Sequence, residues 1–158
     1  MTLLRSRLVS NRVICHAQAS SRKRVLETIA ETISNDNPGT SSTDMLDGLL
    51  ARERLGSTGL GEGVAIPHCR HAIQDIQVCL LTTEAPIDYE ASDGKAVDIF
   101  FALIVPHDEH NAHLRALADL STILAEPDNR MCLRTCQDNA ALHSQMNTLL
   151  ALTEANES

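Results

Sequence analysis

Apolar residues at Val25, Leu26, Ile29, Ala30 and Ile33 recur at the three- and four-residue spacing of one helical face. Ser20-Ser21 offers a cap before them and Asn35-Asp36-Asn37-Pro38-Gly39 a stop after them, so the pattern predicts a helix between. A second helix should follow at once. Ser41, Ser42 or Thr43 can cap it, Asp44 and Asp47 suit its positive end, and Leu46, Leu49 and Leu50 form its buried stripe as far as Arg52 or Arg54. Other stretches carry a strand period. Val13-Ile14-Cys15 reads as a strand near the start, and Val64-Ala65-Ile66 as a short buried strand that ends at Pro67, because proline lacks a donor and pushes Ile66 to extended geometry. Residues 76–83 alternate and then become apolar, while residues 97–105 form a continuous apolar run closed by Pro106 and predict the central strand. Between them, residues 85–89 read as a separate short edge strand and Ser92-Asp93-Gly94-Lys95 as a turn. Leu114, Leu117, Ala118, Leu120, Ile123 and Leu124 predict a long amphipathic helix from Asn111 to Glu126, and Asp128 and Asp138 are expected to cap two further helices. Strands this apolar need cover on both faces, which predicts an α/β fold: a mixed sheet with helices on both sides.

Composition narrows the function classes. The 158 residues are 43% hydrophobic and 22% charged, which suits a single domain spanning residues 1–158 with one sizeable core. Aromatics are Tyr89, Phe100 and Phe101 alone, so stacking platforms for bases are nearly absent. Six basic residues precede every acidic one, leaving seven basic against 21 acidic residues from Val25 onward. That acidic body argues against nucleic acid and anionic membranes as partners. The basic, serine-bearing start reads as part of the fold instead of a transit peptide, and no apolar run reaches the length of a membrane span. A cytoplasmic location is expected. Five cysteines, Cys15, Cys69, Cys79, Cys132 and Cys136, include no Cys-x-x-Cys pair, so neither a disulfide framework nor a zinc knuckle is indicated.

The stretch Gly61-Glu62-Gly63-Val64-Ala65-Ile66-Pro67-His68 holds a histidine just after a strand-ending proline, with His68 expected as the first side chain beyond the sheet. Such a rigid mount suits a nucleophile, a metal ligand or a general base. A metal reading would gather His107, His110 and His113, with His68 or Cys69 as a distant ligand. It describes a non-catalytic, histidine-rich binding module, yet His-Glu-x-x-His is missing and His107 precedes the predicted helix. The glycines from Gly56 to Gly63 follow a helix and lack Gly-Lys-Ser/Thr, so a nucleotide loop is disfavoured and a helix stop and turn is expected. A nucleophile reading uses more residues. An imidazole that accepts a phosphoryl group needs a fixed ring, donors for the oxygens and positive charge, but no metal or other cofactor. Here Arg52 offers a fork of donors, Ser57 and Thr58 offer hydroxyls, and the positive end of the Asn111 helix brings His113.

Residues 52–68, Arg52-Glu53-Arg54-Leu55-Gly56-Ser57-Thr58-Gly59-Leu60-Gly61-Glu62-Gly63-Val64-Ala65-Ile66-Pro67-His68, resemble the signature of the enzyme IIA domains of the mannitol/fructose class in the bacterial phosphoenolpyruvate phosphotransferase system, and most closely the nitrogen-related type. The resemblance extends to Lys23-Arg24-Val25-Leu26, to Phe101-Ala102-Leu103-Ile104-Val105-Pro106 and to His113-Leu114. It implies an α/β/α sandwich, with His68 as the phosphorylated histidine, Arg52 as the active-site arginine and His113 as the second active-site histidine. It also implies transfer to Nε2 from a histidine-phosphorylated, HPr-like carrier, and regulatory or potassium-transport proteins as targets. Relatives commonly carry glycine where this chain has Cys69, and His107 and His110 make an unusually histidine-rich approach to His113. These departures would admit redox or metal sensitivity beside the site.

Overall fold

The computed structural model describes residues 3–157, with side chains through residue 155. A short helix α1 (Leu3–Arg7) and one 3-10 turn (Ser10–Arg12) lead into β1 (Val13–Ala17), α2 (Arg22–Asn35) and α3 (Ser42–Arg54). Strands β2 (Gly59–Gly61), β3 (Val64–Ala65), β4 (His68–His71), β5 (Gln77–Ile87) and β6 (Val97–Pro106) follow, and then α4 (Ala112–Ala125), α5 (Pro127–Arg134) and α6 (Asn139–Glu157). The caps read from sequence are largely in place. Ser21 Oγ accepts from Arg24 N and Ser41 Oγ from Asp44 N, each at 3.2 Å, and Asp138 Oδ1 accepts from Ala141 N at 2.7 Å at the head of α6. Asp128 is the exception: α5 starts at Pro127 with Glu126 in the cap position, so Asp128 lies inside the first turn, where its charge faces the positive helix end.

The sheet is mixed, in the order β1-β5-β6-β3-β2, with β4 also paired to β6. β6 is antiparallel to β5 and parallel to β3 and β4, and β1 runs parallel to β5. Two sequence expectations change here. The separate strand at residues 85–89 is instead the end of β5, beyond a register shift between Thr82 and Ile87. Pro86 sits inside that shift, where no pairing to β6 requires its missing N–H. Likewise the strand through Ile66 does not stop for good at Pro67. Val64 pairs with Ile99 and His68 with Leu103, an unchanged register across the proline, because the Pro67 carbonyl still accepts from Leu103 N at 2.9 Å. His68 is therefore the first residue of a resumed strand on the same edge of β6, not a side chain beyond the sheet.

Alternation along β6 divides the core. Ile99, Phe101, Leu103 and Val105 pack with α1, α4, α5 and α6, while Phe100, Ala102 and Ile104 pack with α2 and α3 on the other face. This three-layer α/β/α sandwich follows from the apolar run 99–105 of β6, which offers no polar face to water. Truncating Phe100 or Phe101, both fully buried, should cost about 3 to 5 kcal/mol. The two-residue link Glu62-Gly63 between β2 and β3 has positive φ at both positions, 56° and 84°, as a type I′ hairpin requires. Gly63 is needed there for a second reason: a Cβ would run into the guanidinium of Arg134, which is fastened to Asp98 and to the Glu62 carbonyl.

Candidate active site

β4 pairs with β6 along one edge only among the described residues. At that edge the C-terminal part of α3, from one layer, and the N-terminus of α4, from the other, border a cleft of about 530 Å³. Gly48, Ala51, Arg52 and Leu55 of α3 and its cap, His68, Cys69 and Arg70 of β4, Val105 of β6 and His113 of α4 line it. The structure thus brings together three residues that lie 61 positions apart at the extremes, Arg52, His68 and His113. It does so because Pro67 leaves the strand register intact and Pro106 ends β6 just before α4 begins.

Local bonding sets the character of each ring. Nδ1 of His68 lies 2.8 Å from the Ile66 carbonyl oxygen. A carbonyl can only accept, so Nδ1 carries the proton and Nε2 is left with a free lone pair. Burial pushes the His68 pKa below its ordinary value, and the charges of Arg52 and His113 push the same way, against the Ile66 carbonyl and Glu53. The ring is held neutral, as a nucleophile must be. His113, the second residue of α4, has its pKa lowered chiefly by burial and then by Arg70. Its Nδ1 is buried with no hydrogen-bond partner among the described residues. An unpaired N–H or an imidazolium there would cost more than a bare lone pair, which assigns the proton to Nε2 and makes that nitrogen a donor.

Arg52 uses one Nη1 bond, 2.7 Å to the Gly56 carbonyl, to close the end of α3, and among the described residues no carboxylate pairs with it. Its remaining donors are available to an anion in the cleft. Ser57 and Thr58, expected to offer hydroxyls to that anion, do not line it. Ser57 Oγ accepts from Gly59 N at 3.1 Å. Thr58 is buried, its hydroxyl donating to the Glu53 carboxylate, which also accepts from Thr58 N and from Tyr89 Oη at 2.7 Å. The physical reason is the buried carboxylate itself, 5% exposed, which must be surrounded by donors and takes those nearest in the chain. Burial and the adjacent Glu53 charge raise the Tyr89 pKa, keeping its hydroxyl a neutral donor. This anchor behind Arg52 was not foreseen; the sole tyrosine of the chain, 36 positions from Glu53, was its only signal.

Arg70 was also missed. Its Nη1 donates to the carbonyls of Pro106, His107 and Glu109 at 3.0, 3.2 and 2.5 Å. Cys69 does line the cleft, but burial pushes its thiol up to about 11, and its Sγ lies 3.2 Å from where a Cβ on Gly48 would be. It is packing between β4 and α3. The alternative metal site is not assembled: among the described residues no group of three or more His, Cys, Asp or Glu side chains is placed to hold an ion. His107 and His110 lie in the loop ahead of α4, and of the three clustered histidines His113 alone reaches the cleft. No helix among the described residues is long and apolar enough to cross a membrane.

Comparison with known proteins shows the family of the chain. The chain is 38% identical over 144 residues to a nitrogen regulatory protein of Pseudomonas aeruginosa, covering 90% of this chain and 94% of that one. It is 32% identical to the nitrogen regulatory protein of Escherichia coli K12, covering 90% of this chain and 85% of that protein. Among solved structures, the nitrogen regulatory protein IIA-Ntr from Neisseria meningitidis superposes with a TM-score of 0.86 at 32% identity, over 91% of this chain and 99% of that one. The mannitol IIA of Escherichia coli shares the fold alone, with a TM-score of 0.71 at 14% identity over 87% of this chain and 96% of that one. Residues 7–148 match the family described as "Phosphoenolpyruvate-dependent sugar phosphotransferase system, EIIA 2", and the chain belongs to that family.

Proposed function

We propose that His68 accepts a phosphoryl group on Nε2 from a histidine-phosphorylated, HPr-like carrier, and that regulatory or potassium-transport proteins bind this chain according to its phosphorylation state. The observation that carries the reading is the bond from His68 Nδ1 to the Ile66 carbonyl, which aims an unprotonated Nε2 at a cleft shared with Arg52 and His113. In the transfer, the N–P bond of the carrier's phosphohistidine breaks as the bond from His68 Nε2 to phosphorus forms. The carrier's ring leaves with the electron pair, and the proton stays on Nδ1 of His68, donated to the Ile66 carbonyl, throughout. The protein's task is positioning and charge stabilisation. Arg52 supplies a planar fork for the oxygens, His113 supplies an Nε2–H from the first turn of α4, and the helix end adds positive potential.

Exposed apolar residues suit a docking partner. Leu55, 85% exposed, lines the cleft, and Leu114, 59% exposed, follows His113; both sit where a carrier would press against the site. The regulatory role rests on the resemblance to nitrogen regulatory proteins. The test is incubation with phosphoenolpyruvate, enzyme I and a cognate carrier, followed by intact mass and site mapping. One acid-labile phosphoryl group on His68 is expected; no label from a competent carrier mixture defeats the reading.

A further inference from the structure

Arg70 stands at the rim of the cleft, on β4, two residues after His68. Its Nη1 gathers the carbonyls of Pro106, His107 and Glu109, so one cation holds the whole turn by which β6 leaves the sheet and approaches α4. Nothing else in that turn is comparably tied: Glu109 N returns to the Pro106 carbonyl at 3.2 Å, and the Glu109 carboxylate accepts from Ala112 N at 2.7 Å at the helix start. Asn111, in the cap position of α4, makes no side-chain cap bond. The placement of α4's first turn therefore depends on a clamp that reaches across from the strand bearing the nucleophile.

We propose that Arg70 is a positioning residue for His113, fixing the Pro106–Glu109 turn and through it the distance and angle at which the His113 ring faces Nε2 of His68. This rests on the reading that His113 serves the transfer to His68. The charged and titratable groups around His113 are Arg70 on β4, Glu109 and His110 ahead of the helix, and His68 across the cleft. Arg70 and His110 favour the neutral ring and Glu109 opposes them. Arg70 thus adds a second effect to the clamp, since its charge helps keep His113 a neutral donor.

A double-mutant cycle separates these claims. Initial rates of phosphoryl transfer from the phosphorylated carrier are measured for wild type, Arg70→Ala, His113→Ala and the double variant, with His113 ring titration followed by NMR in the first two. Because Arg70 acts through His113, Arg70→Ala should slow transfer by no more than His113→Ala does, roughly threefold to tenfold. In the His113→Ala background the Arg70 substitution should change the rate less than about twofold, because the residue it positions is gone. The His113 midpoint should rise in Arg70→Ala and stay near the native value in Arg70→Lys, which keeps the charge but, one bond shorter, cannot bring its ammonium to where Nη1 meets the three carbonyls. Arg70→Lys should accordingly recover only part of the rate. If Arg70→Ala does not fold, Arg70→Gln, which keeps one donor, replaces it in the same cycle. Equal losses from the Arg70 substitution in both backgrounds overturn the proposal and would make Arg70 a direct ligand of the phosphoryl group. An unchanged rate in His113→Ala itself instead overturns the role given to His113, a different failure.

Discussion

His68 and His113 reach one cleft from opposite kinds of support. His68 starts β4, and its Nδ1 is satisfied by the carbonyl of Ile66, two residues back between β3 and β4. Its ring direction is thus a local property, decided by Pro67 and an unbroken register with β6. His113 starts a helix, and its second nitrogen finds no partner among the described residues. Its direction is not local; it follows from where a turn held by Arg70 delivers α4. Two identical side chains in one site therefore differ in how far away their geometry is determined, and the residue whose geometry is determined nearby is the one suited to carry the covalent step.

Substitutions should rank in that order. His68→Ala should abolish labelling altogether, and labelling at the native rate would sink the assignment. Arg52→Ala should come next, losing roughly 2 to 4 kcal/mol of transition-state stabilisation, or about thirtyfold to a thousandfold in rate. Arg54→Ala should match wild type, because Arg54 is exposed and absent from the cleft. Arg52→Lys should rescue poorly, since an ammonium lacks the planar fork. Equal rates for the two alanine variants would remove Arg52 from the site. His113→Ala should slow transfer or shorten the life of the phosphorylated state, by roughly tenfold, with the group still mapped to His68. Recovery of phosphate on His113 in the native protein would invert the comparison.

Acidity sharpens the contrast. An ordinary histidine is half protonated near pH 6.5, but His68 is depressed below that by burial, helped by Arg52 and His113. Acceptance of phosphate should therefore exceed half its plateau at pH 6.5 and have its midpoint below that. Arg52→Ala, by removing a nearby positive charge, should move that midpoint up. Stability carries the same sign. The unfolded chain takes up its proton first, so His68 weakens folding as pH falls from about 6.5 towards its folded-state value, and contributes no pH dependence above 6.5. A rate profile with its midpoint at 6.5 or higher would mean the ring is not held neutral by its surroundings.

What the sequence made legible was punctuation and period. The caps at Ser21 and Ser41, the buried run of β6 and the start of α4 all follow from residues within one or two turns of each other, so the positions of Arg52 and His113 on their elements could be read, whereas His68, expected beyond the sheet, opens β4. The errors arose where distant atoms decided the outcome. Thr58 looked available for an anion, but the buried Glu53 carboxylate and Tyr89 share its hydroxyl. Pro67 looked like a strand end and Pro86 like part of a separate edge strand, but in each case the chain pairs with β6 on both sides of the missing donor. Arg70 read as one basic residue among thirteen, because its three acceptors lie 36 to 39 positions away.

The smallest expected effect concerns Cys69, the departure that invited a redox role beside His68. Its side chain lines the same cleft, but its thiol is pushed up to about 11 by burial, whereas the thiolate is the reactive form of cysteine. At neutral pH that leaves on the order of one thiolate in ten thousand, against a few in a hundred for an ordinary thiol. Cys132, by contrast, is exposed. Limited alkylation with iodoacetamide at pH 7.5, followed by peptide mapping, should therefore modify Cys132 well before Cys69, and Cys69→Ala should change the transfer rate less than about twofold, since its methyl still covers Gly48 without entering the transfer. Faster modification of Cys69 than of Cys132, with parallel loss of phosphate acceptance by His68, would show that the cleft activates this thiol and that the strand bearing the nucleophile carries a second reactive group.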